Sequence, residues 1–474
     1  MNSPSPPHAS ALRRASVLQE VRSLWHLAWP ILIGQLATIG MSVTDVAMAG
    51  HASAQDLAGV SLGVSIYHII IITIMGLVMS VAPMVAQHVG AGHWERVPHV
   101  VRQGLWKGLG IGCVALLVAH VSARVFDHLA IEPAVRDVAK PFVQVISFSL
   151  PAFACYRVLY GYSTSINQTK PMMVVSLVAL VLNFVINWLL VFGHWGFPRL
   201  GGVGCAWATL ICVWFNLAAL LAWMRWSPAY RRTWPFHQFE APHGPKLKKM
   251  MRLGLPIGIT YFAETSAFSL IALLIAKFGS TQVAAHHIAL NFTSLTFMVP
   301  MSLSLALLTR VGQSLGAQDP RAARFRAWVG VGVGLVFAVI SAGGMALFNQ
   351  QIANAYTSDT AVAALAAHLL IFAAIFQLSD CTQVVVSGAI RGYKVTRAPM
   401  VLHLAAFWGA SLPLGCLLGL APAWAFWKPA EPMQAVGFWI ALIVGLTVAA
   451  TGLLWMLRSI SNDRVAQGRP TAPA

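Results

Sequence analysis

Three acidic side chains lie well inside long apolar stretches of this sequence: Asp45, Glu264 and Asp380. A carboxylate in a lipid bilayer costs at least about 2.5–3.5 kcal/mol of insertion free energy. Such a side chain normally faces a cavity, pairs with a cation, or carries a proton and hydrogen-bonds to a neighbouring helix. The first two situations predict a site that a proton or a metal cation enters and leaves, whereas the third would be purely structural.

Two asparagines extend this set. Asn183 and Asn187 are four residues apart, which puts them on one face of a helix. Amide and carboxylate oxygens are hard ligands that suit Na⁺-like ions, although hydrogen bonding between helices is the common alternative for asparagine in membranes. Their predicted depth matches that of Asp45, in the outer half of the bilayer. Glu264 and Asp380 both fall about 15–17 Å from the cytoplasmic face, so we predict that these two share one cation, for which Na⁺ is a candidate.

Other motifs favour structural interpretations. His51 and Asp56 match an H-x-x-x-x-D acyltransferase spacing, but they lie in a predicted outer loop without any other acyltransferase feature. His286 and His287 could carry protons, although a core or interfacial histidine is the simpler interpretation. The six cysteines lie inside apolar runs without metal-binding spacing, so we predict neither a disulfide framework nor a zinc site.

Several phenylalanines share the predicted spans that carry Glu264 and Asp380, or the span next to them. Their rings could stack on an aromatic or cationic drug through the π face, and helix packing is the alternative for each ring. The set is Phe262, Phe268, Phe292, Phe297 and Phe376.

The composition identifies the medium that surrounds these residues. Of 474 residues, 58% are hydrophobic and only 9% are charged, whereas soluble domains are about 25% charged. A net charge of +17 could suggest a nucleic-acid-binding protein. However, the basic residues stand mostly in short segments between apolar runs, where they determine membrane topology instead.

Twelve apolar runs are long enough to be transmembrane helices, which need about 20 residues each. Inside a bilayer such runs must be helical, because lipid offers no hydrogen-bond partner to the backbone. With a cytoplasmic N-terminus, 24 of the 31 basic residues fall on the inside and six on the outside, and Arg157 lies within the fourth run. This bias predicts that both termini are cytoplasmic. The runs are 27–49, 57–82, 101–122, 138–163, 171–194, 202–226, 253–278, 283–311, 327–349, 362–390, 398–420 and 436–457.

The two halves of the chain repeat. Pro30 matches Pro256 at an offset of 226 residues, and Gln87 matches Gln313 at the same offset. Because each half holds six spans, both halves insert in the same orientation, as parallel repeats about an axis along the membrane normal. The predicted organisation is a tail (1–23), an N-lobe (24–226), a basic linker (227–252), a C-lobe (253–457) and a second tail (458–474).

Four stretches resemble the multidrug and toxic compound extrusion (MATE) transporters, specifically the NorM-like branch. They are MSVTDVAMAG (41–50), YFAETSAF (261–268), AAHHIALNFTSLTFMVPMSLSLALLTRVGQSLGA (284–317) and QLSDCTQVVVSGAIRG (377–392). The resemblance implies an all-α integral membrane fold, with twelve helices in two six-helix lobes around a central cavity. It also implies export of amphipathic organic cations in exchange for Na⁺ or H⁺.

By motif, Asp45 corresponds to the family's N-lobe acid, Asn183 and Asn187 to its amide partners, and Glu264 and Asp380 to its C-lobe cation-site acids. Phe376 stands where related proteins have Tyr, and His287 where they usually have Gln, which leaves the coupling ion open. The candidate substrate-binding residues are Asp45, Phe268, His287, Phe292 and Phe376.

We therefore expect a multidrug antiporter of the bacterial inner membrane, monomeric, with no cofactor beyond the coupling ion and no nucleic-acid partner. The alternative within transport is a flippase for a lipid-linked precursor, which would have a more cationic cavity for a phosphate headgroup. A polytopic membrane enzyme would need a clustered nucleophile, metal site or catalytic acid pair, and a channel would need rings of charge or pore motifs. The sequence shows none of these features.

Overall fold

The structure is a computed structural model that describes residues 7–128, 131–422 and 429–467, with side chains from residue 16 onwards. In these ranges every regular element is helical. The first six residues and the end of the predicted C-terminal tail, beyond residue 467, lie outside the described residues. The α-helices are α1 (Pro7–Ala52), α2 (Ala54–Val78), α3 (Val81–Gly90), α4 (Val97–Ser122), α5 (Pro133–Ser147), α6 (Leu150–Ser165), α7 (Lys170–Phe192), α8 (Gly202–Trp226), α9 (Gly244–Ile275), α10 (Ser280–Gly316), α11 (Pro320–Leu347), α12 (Asn349–Tyr356), α13 (Thr360–Gly392), α14 (Arg397–Leu404), α15 (Leu412–Leu420) and α16 (Gln434–Gln467).

The described residues contain eleven helical segments that are long and apolar enough to cross a membrane. A twelfth span forms from α5 and α6, which meet at a bend of 48°. Pro151 is the second residue of α6, and a proline there cannot donate a backbone hydrogen bond to the preceding turn, so the helix breaks at this point. The prediction of an all-helical protein with twelve spans is confirmed.

Sequence signals at the helix ends explain where several spans begin and end. Ser53 precedes α2, and its side chain accepts a hydrogen bond from the Asp56 backbone amide. Asp359 caps the start of α13 in the same way, with bonds from two backbone amides. At the C-terminal end of α7, Gly193 adopts the left-handed conformation (φ 74°), which terminates helices without a steric penalty at glycine.

The chain divides into two compact units. One unit, which we call the C-lobe unit, holds the described residues 7–29, 267–393, 402–422 and 429–467. The other, the N-lobe unit, holds Pro30–Ser266 and Lys394–Val401. The first helix of each predicted repeat, α1 and α9, therefore contributes residues to both units.

In the N-lobe unit, α2 and α9 cross at close range because glycines line the contact. A Cβ atom added at Gly76 would lie 2.7 Å from the Gly258 Cα, and one added at Gly254 would lie 2.2 Å from the Leu77 carbonyl oxygen. Small residues spaced four apart let membrane helices approach in this way. Substitution of either α9 glycine would push the two helices apart.

The linker predicted between the lobes packs along α4. Trp106 Nε1 donates to the Glu240 carbonyl oxygen at 2.8 Å, and Arg102 Nε donates to the Glu240 carboxylate at 2.8 Å. Arg102 also donates to the Pro235 carbonyl oxygen at 3.0 Å. These bonds fasten the linker to the N-lobe unit at several points.

In the C-lobe unit, the N-terminal part of α1 is attached by a buried ion pair. Glu20 is only 5% exposed, and its carboxylate accepts two hydrogen bonds from the Arg310 guanidinium. Arg326 lies 3.4 Å from the same carboxylate and donates to Ser314. One acid thus joins α1 to the C-terminal part of α10 and the N-terminal part of α11.

Candidate functional site

The first candidate site surrounds Asp45, in the membrane-spanning part of α1. Its side chain is buried, at 4% exposure. Helix α7 presents the amides of Asn183 and Asn187 from one face, and their Nδ2 atoms donate to Asp45 Oδ1 at 3.1 and 2.7 Å. The structure therefore joins by direct hydrogen bonds three residues that the sequence analysis placed at one depth.

A third donor reaches Asp45 from α8. Thr209 Oγ1 donates to Asp45 Oδ2, and Cys205 Sγ contacts the Asp45 backbone carbonyl oxygen at 3.3 Å. Thr209 was not among the residues predicted from the sequence. Threonine is ordinary in membrane helices, where its hydroxyl commonly bonds to the backbone one turn earlier, so nothing in its sequence context marks it as part of a site.

This Asp45 site also has one unused acceptor. Asn187 Nδ2 bonds both to Asp45 and to Asn183 Oδ1, at 3.2 Å, whereas Asn187 Oδ1 is buried without a hydrogen-bond partner among the described residues. An unsatisfied buried acceptor is costly, and a proton donor or a hard cation would satisfy it. The site thus combines a carboxylate held by three donors with a free amide oxygen.

The second candidate site surrounds Asp380, in α13. Its side chain is 4% exposed, and it receives a hydrogen bond from Gln383 Nε2 at 3.2 Å. Among the described residues no other side chain donates to this carboxyl. His403, in α14, lies on the far side of Gln383, with its Nε2 2.7 Å from Gln383 Oε1. Neither Gln383 nor His403 was among the residues predicted from the sequence.

Glu264 lies in α9 and is partly buried. It belongs to the N-lobe unit, whereas Asp380 belongs to the C-lobe unit. The shared cation that the sequence analysis assigned to this pair remains a prediction.

Three of the five predicted aromatic residues, Phe268, Phe292 and Phe376, lie in a packed cluster of the C-lobe unit, whereas Phe262 is exposed and belongs to the N-lobe unit. The Phe268 and Phe376 rings meet nearly perpendicularly, with centroids 6.1 Å apart. The ring centroid of Phe376 also lies 5.5 Å from that of Trp439. Phe376 is 4% exposed, so its neighbours cover its faces, whereas Phe268 and Phe292 are partly buried at the edge of the same core. Edge-to-face contacts of this kind contribute to packing, and the partly buried rings remain the ones that a ligand could reach.

The two adjacent histidines of α10 differ in environment. His286 is buried, and its Nδ1 accepts a hydrogen bond from Trp439 Nε1 at 3.2 Å. His287 is exposed. Of the two, His287 is therefore the one that a substrate could contact, which remains a prediction.

Comparison with known proteins agrees with this architecture. A sequence model of the MatE family matches residues 30–189 and again 256–417. The two matches begin 226 residues apart, at Pro30 and Pro256, which is the offset of the internal repeat. Together they cover more than half of the chain.

The chain is similar to multidrug resistance proteins over nearly its whole length. The chain is 42% identical over 451 residues to the multidrug resistance protein PmpM of Pseudomonas aeruginosa, covering 95% of this chain and 93% of that one. It is 40% identical over 453 residues to the probable multidrug resistance protein NorM of Chromobacterium violaceum, covering 95% and 96%. The crystal structure of the eukaryotic MATE transporter AtDTX14 shares the fold with a TM-score of 0.85 at 19% identity, over 96% of this chain and all of that one. The predictions of the family and of a two-lobe fold are confirmed, and the chain belongs to the MatE family of multidrug and toxic compound extrusion transporters.

Proposed function

We propose that this chain exports amphipathic organic cations from the cytoplasm in exchange for Na⁺ or H⁺. The observation that carries the proposal is the unequal hydrogen bonding of two buried carboxyls. Asp45 accepts three side-chain hydrogen bonds, whereas Asp380 accepts one among the described residues. We assign the driving ion to Asp380 on this basis.

The difference matters because a buried carboxylate must be stabilised by donors, by a cation or by a proton. Three donors stabilise the ionised form of Asp45, so this site remains an anionic contact for a positively charged drug or a proton. Asp380 has one donor and therefore depends most on an exchangeable positive partner. A proton or Na⁺ that binds there neutralises a charge that the protein itself leaves under-compensated.

The exchange follows from this dependence. The outward-open state exposes the carboxyls to external Na⁺ or H⁺, whose binding neutralises them and weakens their attraction for the drug cation, which leaves. Ion release on the inside restores the charge, so a new lipophilic cation can bind. The ion shifts the equilibrium only by the difference between its affinities for the two states.

The proposal includes a cellular location, which the names of the similar proteins support. Because the similar proteins are bacterial multidrug resistance proteins, we assign the chain to the bacterial inner membrane. The distribution of basic residues favours a cytoplasmic location for both termini. We further propose that the transporter acts as a monomer.

Efflux of a fluorescent organic cation from proteoliposomes tests the proposal, with ΔpH and ΔNa⁺ imposed separately. Asp380→Asn keeps the shape of the side chain but removes the charge, so we expect it to abolish gradient-driven efflux. Glu431→Gln removes a carboxylate from an exposed loop and serves as the matched control, which should leave efflux unchanged. Full gradient-driven efflux by Asp380→Asn under both gradients would contradict the proposal.

A further inference from the structure

Two consecutive hydrogen bonds lead from Asp380 to a buried histidine on another helix. Gln383 Nε2 lies 3.2 Å from Asp380 Oδ1, and Gln383 Oε1 lies 2.7 Å from His403 Nε2. Gln383 is 1% exposed and His403 is 2% exposed. All three residues belong to the C-lobe unit.

The direction of these bonds follows from the chemistry of the groups. Gln383 Oε1 can only accept a hydrogen bond, so the hydrogen in the second bond belongs to His403 Nε2. The two ends of a glutamine amide have nearly the same size, and packing alone therefore does not decide which end faces Asp380. In the tautomer with the hydrogen on His403 Nε2, the flipped amide would place NH₂ against N–H and carbonyl oxygen against carboxylate, so this tautomer holds the NH₂ group towards Asp380.

The histidine is itself held in place. Its ring stacks on Phe407 with an interplanar angle of 20° and a centroid distance of 6.4 Å, and Phe407 is fully buried. Phe407 belongs to a π-helical segment, Ala405–Ser411, that interrupts the span between α14 and α15. Short π-helical segments within α-helices occur frequently at functional sites.

We propose that His403 is a positioning residue of the driving-ion site. Its Nε2–H orients the Gln383 amide so that the NH₂ group holds Asp380 Oδ1 and the other carboxyl oxygen faces the exchanged ion. The inference rests on the proposed function, because His403 acts only through Asp380. It adds a histidine of the eleventh span to a site that the sequence analysis built from acids alone.

Substitutions of His403 separate its N–H from its ring. His403→Phe removes the N–H but keeps an aromatic ring to stack on Phe407, and His403→Met removes both, so the result does not depend on the folding of one variant. We expect either change to raise the half-saturating concentration of the driving ion about tenfold, or about 1.4 kcal/mol, with a smaller effect on the maximal rate of efflux. His403→Gln, which retains an N–H donor, should recover part of the loss.

A double-mutant cycle with Gln383→Met distinguishes positioning from general packing. If His403 acts through the Gln383 amide, His403→Phe has no further effect on the half-saturating ion concentration once that amide is gone. The inference would be overturned if His403→Phe and His403→Met left the half-saturating ion concentration unchanged. It would also be overturned if His403→Phe raised that concentration as much in the Gln383→Met background as in the wild type. Such a result alongside inactive Asp380→Asn would leave the proposed function intact, whereas active Asp380→Asn would remove both.

Discussion

A buried lysine in the N-lobe unit provides the sharpest test of how this fold is held together. Lys107, in α4, is 5% exposed, and its ammonium donates to the Leu77 carbonyl oxygen at 2.6 Å and to Ser80 Oγ at 2.7 Å. A third bond reaches the Met250 carbonyl oxygen, in α9, at 3.2 Å. One ammonium thus links α4 to the break between α2 and α3 and to the start of the seventh span.

Lys107→Met keeps most of the side-chain volume and removes all three bonds. A hydrogen bond to a charged group contributes a net of about 1.5–3 kcal/mol. Three bonds that share one donor and one desolvation penalty do not add in full. We therefore expect a loss of about 3 kcal/mol in the free energy of unfolding, on the order of a hundredfold in the unfolding equilibrium. Ser80→Ala removes only one of the three bonds and should cost about 1 kcal/mol.

Unfolding titrations in mixed micelles measure this loss. Labelling of Cys205 and Cys212 by a fluorescent maleimide reports the transition, because both thiols are buried in the same unit. Lys248→Met is the matched control, since Lys248 is exposed, and it should unfold like the wild type. If Lys107→Met is as stable as this control, desolvation of the ammonium cancels its hydrogen bonds and the reasoning is refuted.

Three further predictions concern other polar contacts. Glu20→Gln leaves partly buried guanidinium charge without its carboxylate, so we expect a loss of up to about 3–5 kcal/mol in a titration that follows labelling of Cys381, which is buried in the C-lobe unit. Glu20→Gln combined with Arg310→Met should restore part of this loss. Asp56→Asn weakens the 2.6 Å bond from the Gly202 amide to the Asp56 carboxylate, so hydrogen exchange at the Gly202 amide should be faster in the variant. Equal exchange rates in the variant and the wild type would refute a capping role for Asp56. Burial lowers the pKa of Lys394 to about 8, so above that pH the unfolded chain binds more protons and stability should rise towards the ordinary lysine pKa. Lys394→Gln should flatten this rise, and a rise that persists in the variant would exclude the lysine as its source.

Much of the fold follows from the sequence because few backbone conformations are stable in a bilayer. Each apolar run must be a helix that is long enough to cross, and the twelve predicted runs correspond to the spans of the structure. The helix ends are harder to predict. The first run, 27–49, is only part of α1 (Pro7–Ala52), because polar residues before the run, such as Glu20, have partners such as Arg310 that hydropathy cannot show.

The candidate sites likewise contain some residues that the sequence predicts and others that it does not. The cost of burying a charge identifies acids in a membrane span from the sequence alone, as for Asp45 and Asp380. Thr209 and Gln383 carry no such cost and have no regular spacing, so only the packing of helices distant in sequence reveals them. His403 did offer a signal, since a histidine inside the eleventh apolar run is unusual. Lys107 enters the sequence prediction only as one of the basic residues counted for topology, because its three oxygen partners, on Leu77, Ser80 and Met250, lie far from it along the chain.

The ion pair of Glu20 has a consequence for the biogenesis of this protein. Arg310 follows Glu20 by 290 residues, so a ribosome that adds about 5–20 residues per second needs roughly 15–60 seconds to supply the partner. During that interval the first helix carries an uncompensated carboxylate, which the lipid headgroups or the insertion machinery must accommodate. Nascent chains that stop before α10 should therefore be efficient substrates for membrane quality-control proteases.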